Sequence, residues 1–343
     1  MVNPPLVTVI CATYNRAALL RCALRSVLEQ SFTDFEIRVI GDACTDGTEK
    51  IISELNDPRL HWINLAKNSG TQTAPNNEGL RQARGKFIAF IGHDDLWLPS
   101  HLARLVERIQ ASDADFVHDL TASLGPDGVE AISAAPHPQC GYEQIYVPTS
   151  SWLHRRELVE AIGGWRHFNE LAWPIDFDFT RRTALAGKKF AFEPSLGVLK
   201  FHSQIWKWYS RAGEPPQEKW LAAIRQSPAA FTERILLEAA AQHAFHFQRA
   251  EKIPIALAWQ DFQSAGKKTT SALLREIISW YGPERWPVGP LLRWRYGKIY
   301  SARRATRGLP PFQAEQVEAM AASANHSAAA ADVAGAGTDG SPA

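Results

Sequence analysis

The chain has 343 residues, more than one average domain and fewer than three, so one large core domain with a smaller attachment is expected. With 45% hydrophobic and 21% charged residues it is too apolar for general disorder, and 37 basic against 36 acidic residues exclude a global electrostatic pull toward nucleic acid or membrane. The four cysteines, Cys11, Cys22, Cys44 and Cys140, are too scattered for a zinc site or a disulfide framework.

The opening residues carry no basic segment leading into a long apolar run, and no stretch reaches bilayer-spanning length, so a cytoplasmic, non-integral protein is expected. Through residue 120, short β-rich runs alternate with helical patterns. Val7 to Ala12, Phe35 to Gly41, Leu60 to Asn64, Phe87 to Gly92 and Asp115 to Leu120 read as buried strands. Leu20, Leu24, Val27 and Leu28 follow helical spacing, as do Leu102, Leu105, Val106 and Ile109. This alternation predicts an α/β fold, a Rossmann-like, mostly parallel sheet with helices on both faces. Residues 121–150, rich in Gly, Pro and Ala, read as a loop or irregular crossing. Residues 214–281 read as mainly helical, and the tail from residue 314 as disordered. The segment 285–307 has seven basic residues and no acidic ones, interleaved with Trp286, Trp294, Tyr296 and Tyr300. It suits a peripheral membrane contact, with a solvated basic helix as the alternative.

A parallel sheet binds ligands at the carboxyl ends of its strands, so the loops after strands carry the chemistry. Gly92-His93-Asp94-Asp95-Leu96-Trp97-Leu98-Pro99 sets two adjacent carboxylates just past a buried strand. Such a pair suits Mn²⁺ or Mg²⁺ completed by a substrate diphosphate, or caps the helix beginning near Ser100. Asp42 leaves the second strand, where it could accept the N–H of a pyrimidine. Asp46 and Thr48 read as turn and helix start. Asp176 reads as the N-cap of a helix that Gly187 closes.

Taken together, VTVICATYNR, IGDACTDGT and NSGTQTAPNNEGLRQARGKFIAFIGHDDLWLP, in this order, resemble the donor-binding half of glycosyltransferase family 2, whose members have the GT-A fold and are inverting. The match is strong over roughly residues 6–102 and extends to about residue 210. The resemblance implies that Thr13, Tyr14, Asp42, Asn68 and Asp94 bind a nucleotide-sugar donor, that Asp94, Asp95 and His202 hold Mn²⁺ or Mg²⁺, and that Asp176 is the catalytic base. Gly92 and Ile175 stand where many members carry an acid, and the loop from Asn68 to Gly79 is one residue longer than usual.

The expectation is thus a metal-dependent inverting transferase moving a sugar, from UDP by family frequency, to a hydroxyl of a glycan or lipid-linked glycan in polysaccharide biosynthesis. Residues 1–120 would form the donor half, 121–212 the acceptor half, 213–313 a C-terminal helical extension and 314–343 a tail. A non-catalytic nucleotide-sugar-binding scaffold on the same fold is the alternative. A nucleotidyltransferase is disfavoured, because Thr13-Tyr14-Asn15-Arg16 has no phosphate-binding glycines.

Overall fold

The computed structural model describes residues 4–252 apart from residue 127, residues 172–173 and residues 202–214, with the backbone alone over 243–252. His202, Trp206, Trp208 and Tyr209, the helices expected beyond residue 252, the basic segment 285–307 and the tail from residue 314 therefore lie outside the described residues. The chain divides into two compact units, residues 1–246 and 247–343. The first begins β1 (Val7–Thr13), α1 (Ala17–Leu28), β2 (Phe35–Gly41), α2 (Thr48–Leu55), β3 (Leu60–Asn64), α3 (Thr73–Gln82) and β4 (Phe87–Phe90). It continues through β5 (Leu96–Trp97), α4 (His101–Gln110), β6 (Phe116–Gly125), β7 (Gly128–Ser133), β8 (Trp152–Arg155), α5 (Leu158–Ile162), α6 (Ile175–Leu185) and β9 (Phe190–Phe201). Two further helices follow, α7 (Pro216–Gln226) and α8 (Pro228–Lys252).

The strands form one curled sheet in the order β3-β2-β1-β4-β8-β6-β9-β5, with β7 paired to β6. β1 to β4 are mutually parallel, as is β6 with β9, whereas β8 runs antiparallel between β4 and β6. Alternating side chains explain why both faces are covered. Val7, Val9 and Cys11 of β1 join Phe87 and Ala89 of β4 in one core, while Ile10, Ile88 and Phe90 enter another. The first core is closed by Leu20, Leu24 and Val27 of α1 and by Leu102, Leu105 and Ile109 of α4. Leu80 of α3 and Phe179 of α6 cover the second. Gly79 lets α3 lie directly on β1, since a Cβ there would stand 2.5 Å from Ile10 Cγ2. A third core joins β6 and β9 to α7 and α8 through Trp220, Leu221, Ile224, Phe231 and Ile235.

Of residues 121–150, expected as a loop or irregular crossing, 134–148 run without helix or strand, whereas the first part departs from that expectation. β6 continues to Gly125 and β7 turns back on it, because Ala122, Leu124 and Val129 are buried despite their small-residue neighbours. The second part of the loop from Asn68 to Gly79 is the first part of α3. The helix bearing Asp176 is capped by Pro174, with Asp176 in its first turn, and Gly187 follows its end at φ +67. No helix among the described residues is long and apolar enough to cross a membrane.

His118 and His154, both fully buried in the second core, are pushed down to about 4 by burial. Each favours the folded state in full above the ordinary histidine value of 6.5, and that contribution is lost as pH falls to about 4. Asp119, pushed up to about 6 by burial against the pull of His101, acts in the opposite direction over part of this window. Two histidines outweigh one aspartate, so the melting temperature should fall between pH 6.5 and pH 4. His154→Phe, which also removes the unpartnered Nε2, should flatten that slope by about 3 kcal/mol of pH-dependent stability, measured by denaturation at each pH.

Candidate active site

A cavity of about 200 Å³ opens beyond the carboxyl ends of β1 and β4. The loop between β4 and β5 gives it His93, Asp94 and Asp95, and the start of α3 gives Gln72 and Asn76. A 3₁₀ turn before β8 adds Thr149 and Ser150, α6 adds Asp176 and β9 adds Lys200, the only lysine or arginine among the lining residues described. The structure thus brings Asp94, Asp95 and Asp176 into one place from segments far apart in the chain.

The adjacent carboxylates have different surroundings. Asp95 is 1% exposed, and its Oδ2 accepts from Ser150 Oγ at 2.5 Å and from Lys200 Nζ at 3.3 Å. Its Oδ1 accepts from the Phe201 amide at 3.3 Å. Ser150 Oγ in turn accepts from the Gly92 amide, and the Ser150 carbonyl accepts from Trp97 Nε1. Asp95 does not cap α4, the alternative that its position before Ser100 raised. Asp94 is partly buried and lines the cavity, with its carbonyl held by Gln217 of α7 at 2.9 Å.

Gly92 leaves room for both carboxylates, since a Cβ there would stand 2.9 Å from Asp95 Oδ2 and 3.2 Å from Asp94 Oδ1. Burial opposes the charge of Lys200, but Asp95, Asp94 and Asp176 outweigh it and hold the ammonium above the usual lysine value. Burial, and then the charges of Asp94 and Asp95, push the Cys11 thiol up, so it stays protonated and is no nucleophile.

Thr13 ends β1 and Tyr14, Asp42 and Asn68 lie in loops after strands; none of the four is among the residues lining this cavity. Asp42 is 3% exposed, and its carboxylate accepts the amides of Ser69 and Gly70 at 2.9–3.1 Å. Asn68 Nδ2 donates to the Asp42 carbonyl at 2.9 Å, so the pair ties the loop after β3 to the end of β2. Thr13 is buried with Oγ1 unpartnered, whereas Tyr14 is 45% exposed. Asp46 accepts the Thr48 amide and the Ala17 amide, in keeping with the turn expected. Asp176 Oδ2 accepts the Tyr146 hydroxyl at 2.6 Å.

Ser150, Lys200 and Tyr146 were not singled out in the sequence. Lys200 lies two residues before His202 in the sequence, and that proximity was the one available signal. Among the described residues no group of three or more His, Cys, Asp or Glu could hold a metal. With the Asp95 oxygens taken, the donor set fits a hard divalent ion held by Asp94 and completed by the oxygens of a bound diphosphate.

The family described as Glycosyl transferase family 2 matches residues 8–136, which span β1 to β7 and include Asp42, Asp94 and Asp95. The uncharacterized glycosyltransferase YwdF of Bacillus subtilis is 30% identical over 193 residues, covering 52% of this chain and 68% of that protein. The chain belongs to glycosyltransferase family 2. A second relative, the putative teichuronic acid biosynthesis glycosyltransferase TuaG of B. subtilis, is 32% identical over 36% of this chain and 50% of its own length. The chain spans 38% to 65% of the length of several curated relatives it matches. Among solved structures, the crystal structure of S. aureus TarS has a TM-score of 0.50 at 22% identity, covering 78% of this chain and 50% of that one. This likeness is one of fold.

Ser150 is the joint between the turn, the Asp95 carboxylate and the Trp97 ring. Ser150→Ala removes one of the Asp95 donors and should lower stability by about 1–3 kcal/mol, measured by urea denaturation. An unchanged unfolding free energy would show that the Asp95 cluster does not hold the turn.

Proposed function

We propose that this family 2 chain transfers a sugar from a nucleoside diphosphate, UDP being the first choice, to an acceptor hydroxyl in glycan or polysaccharide biosynthesis, with inversion at the anomeric carbon. The observation that carries this reading is the single cavity lined at once by Asp94, Asp176 and Lys200. Such a transfer needs a base for the acceptor hydroxyl and charge stabilisation for the departing diphosphate, and these residues supply both kinds of group. TuaG and other curated relatives bear names of polysaccharide and lipid-linked glycan synthesis, which supports a glycan acceptor without naming it.

In the proposed step Asp176 takes the proton of the acceptor hydroxyl as that oxygen forms its bond to the anomeric carbon. The bond from that carbon to the diphosphate oxygen breaks, and its electron pair leaves with the nucleoside diphosphate. Lys200 faces the departing phosphates as a fixed cation. A divalent ion held by Asp94 would neutralise further charge on the diphosphate when bound. Asp42 and Asn68 would shape the nucleoside end by fixing the loop after β3, and the exposed Tyr14 ring offers a face for the base.

Titration calorimetry with UDP, GDP, dTDP and CMP, each with and without Mn²⁺, should give one preferred nucleotide in the wild type. Lys200→Met should weaken that nucleotide by about tenfold, roughly 1.4 kcal/mol. Asp176→Asn should keep nucleotide affinity and lose release of nucleotide from the nucleotide sugar in the presence of acceptor. Binding without any transfer in the wild type, over a broad acceptor panel, would instead favour the scaffold reading.

A further inference from the structure

Two adjacent asparagines near the start of α3 are used in opposite ways. Asn77 commits both ends of its amide to one residue, its Nδ2 donating to the Trp165 carbonyl at 2.9 Å and its Oδ1 accepting the Trp165 amide at 2.8 Å. Thr73, one turn earlier, donates its hydroxyl to the Arg166 carbonyl at 3.2 Å. These bonds hold the start of α3 in place. Asn76 has no such task. It is 3% exposed, its side-chain amide makes no hydrogen bond among the described residues, and it lines the same cavity as Asp94, Asp176 and Lys200. Its amide is open to that cavity, unlike the enclosed hydroxyl of Thr149 in the same lining. Gln72, four positions earlier and so on the same side of the helix start, lines the cavity too, and its amide is likewise without a partner there.

We propose that Asn76 is a specificity residue for the transferred sugar, its amide hydrogen-bonded to a hydroxyl or acetamido group of an uncharged sugar, with the Gln72 amide beside it. The inference rests on the proposed transfer and names the chemical class of the group transferred. A buried amide is costly to leave unpaired, so a group of this kind facing a cavity is met by what enters the cavity. One acceptor and two donors suit a hydroxyl or an acetamido group, each of which both donates and accepts. At about 200 Å³ the cavity is smaller than the roughly 300–1,000 Å³ of sites that take a whole drug-sized ligand, so it holds one part of a nucleotide sugar. That part is the reacting end, because the proposed base, the acidic pair and the ammonium all line it.

The charges around Asn76 narrow the class. Among the described lining residues Asp94, Asp95 and Asp176 are carboxylates and Lys200 is the one ammonium, with His93 as the remaining ionisable group. A carboxylate on the sugar would add to this surplus of negative charge, whereas an uncharged sugar avoids the repulsion and still engages the two amides.

Titration calorimetry on the full chain with Mn²⁺ tests this by setting UDP beside UDP-glucose, UDP-galactose, UDP-N-acetylglucosamine and UDP-glucuronic acid, and GDP beside GDP-mannose. Wild type should bind at least one uncharged nucleotide sugar about tenfold more tightly than UDP-glucuronic acid. Asn76→Ala should weaken that nucleotide sugar by about tenfold and leave its parent nucleoside diphosphate within about twofold. Asn76→Asp, of the same shape but charged, should weaken it at least as much. Ligand-free melting temperature should not fall in Asn76→Ala, since no hydrogen bond of the fold is removed. A marked fall there, equal weakening of nucleotide sugar and nucleoside diphosphate, no weakening of either, or UDP-glucuronic acid as the tightest ligand would overturn the proposal and leave the transfer reading standing. Absence of any nucleotide binding by the wild type would remove that reading and the proposal with it.

Discussion

The buried carboxylate of Asp95 is the constraint on which the arrangement of the site depends. Its oxygens draw together a hydroxyl from the turn before β8, an ammonium and an amide from β9, and, through its own amide, the carbonyl of Gly92. These segments come from the parallel and the mixed parts of the sheet. Burying a charge is costly unless it is paired and hydrogen-bonded, so this cluster is stable only when all three segments are in place. The same requirement leaves the neighbouring Asp94 lining the cavity. Gly92 is part of the solution, because a side chain there would press on both carboxylates.

A comparable division runs through the loops after β1, β2 and β3. Asp42 spends its carboxylate on two backbone amides of the loop after β3, and Asn64 brackets the loop after β2 through the amide and carbonyl of Cys44. Asn15, in the left-handed region at φ +49, accepts the Thr45 amide with its own side chain at 2.8 Å. Three loops that leave the parallel strands are thus tied to one another through side chains and backbone. Pre-arranged in this way, they lose less conformational entropy when a ligand arrives.

The first four strands were legible because their signals are local. Short β-branched runs, each followed by a loop with a distinctive polar cluster, gave β1 to β4 and the positions of Asp42, Asp94 and Asp95 directly. Asp176 was reached through a family resemblance, and the structure places it in the same cavity as the acidic pair. The parts that were not legible are long-range. β5 is two residues long and exists because Leu96 and Trp97 pair with Leu199 and Val198. β7 was hidden in a stretch whose glycines, prolines and alanines look like a loop until the apolar alternation of Ala122, Leu124 and Val129 finds a partner. Which of two adjacent carboxylates turns inward is decided by Ser150 and Lys200, 55 and 105 residues away, and no local pattern carries that information.

The most direct measurement of this account sets Asp94→Asn beside Asp95→Asn, reading unfolding free energy and nucleotide-with-Mn²⁺ binding on each. Asp94→Asn is expected to lose metal-dependent nucleotide binding at a smaller cost in stability than Asp95→Asn. Asp95→Asn is expected to lose about 3–5 kcal/mol of stability, because it leaves the Lys200 ammonium without its partner. Wild-type stability in Asp95→Asn, with only metal-dependent binding lost, would contradict the account and make Asp95 a ligand in place of an anchor.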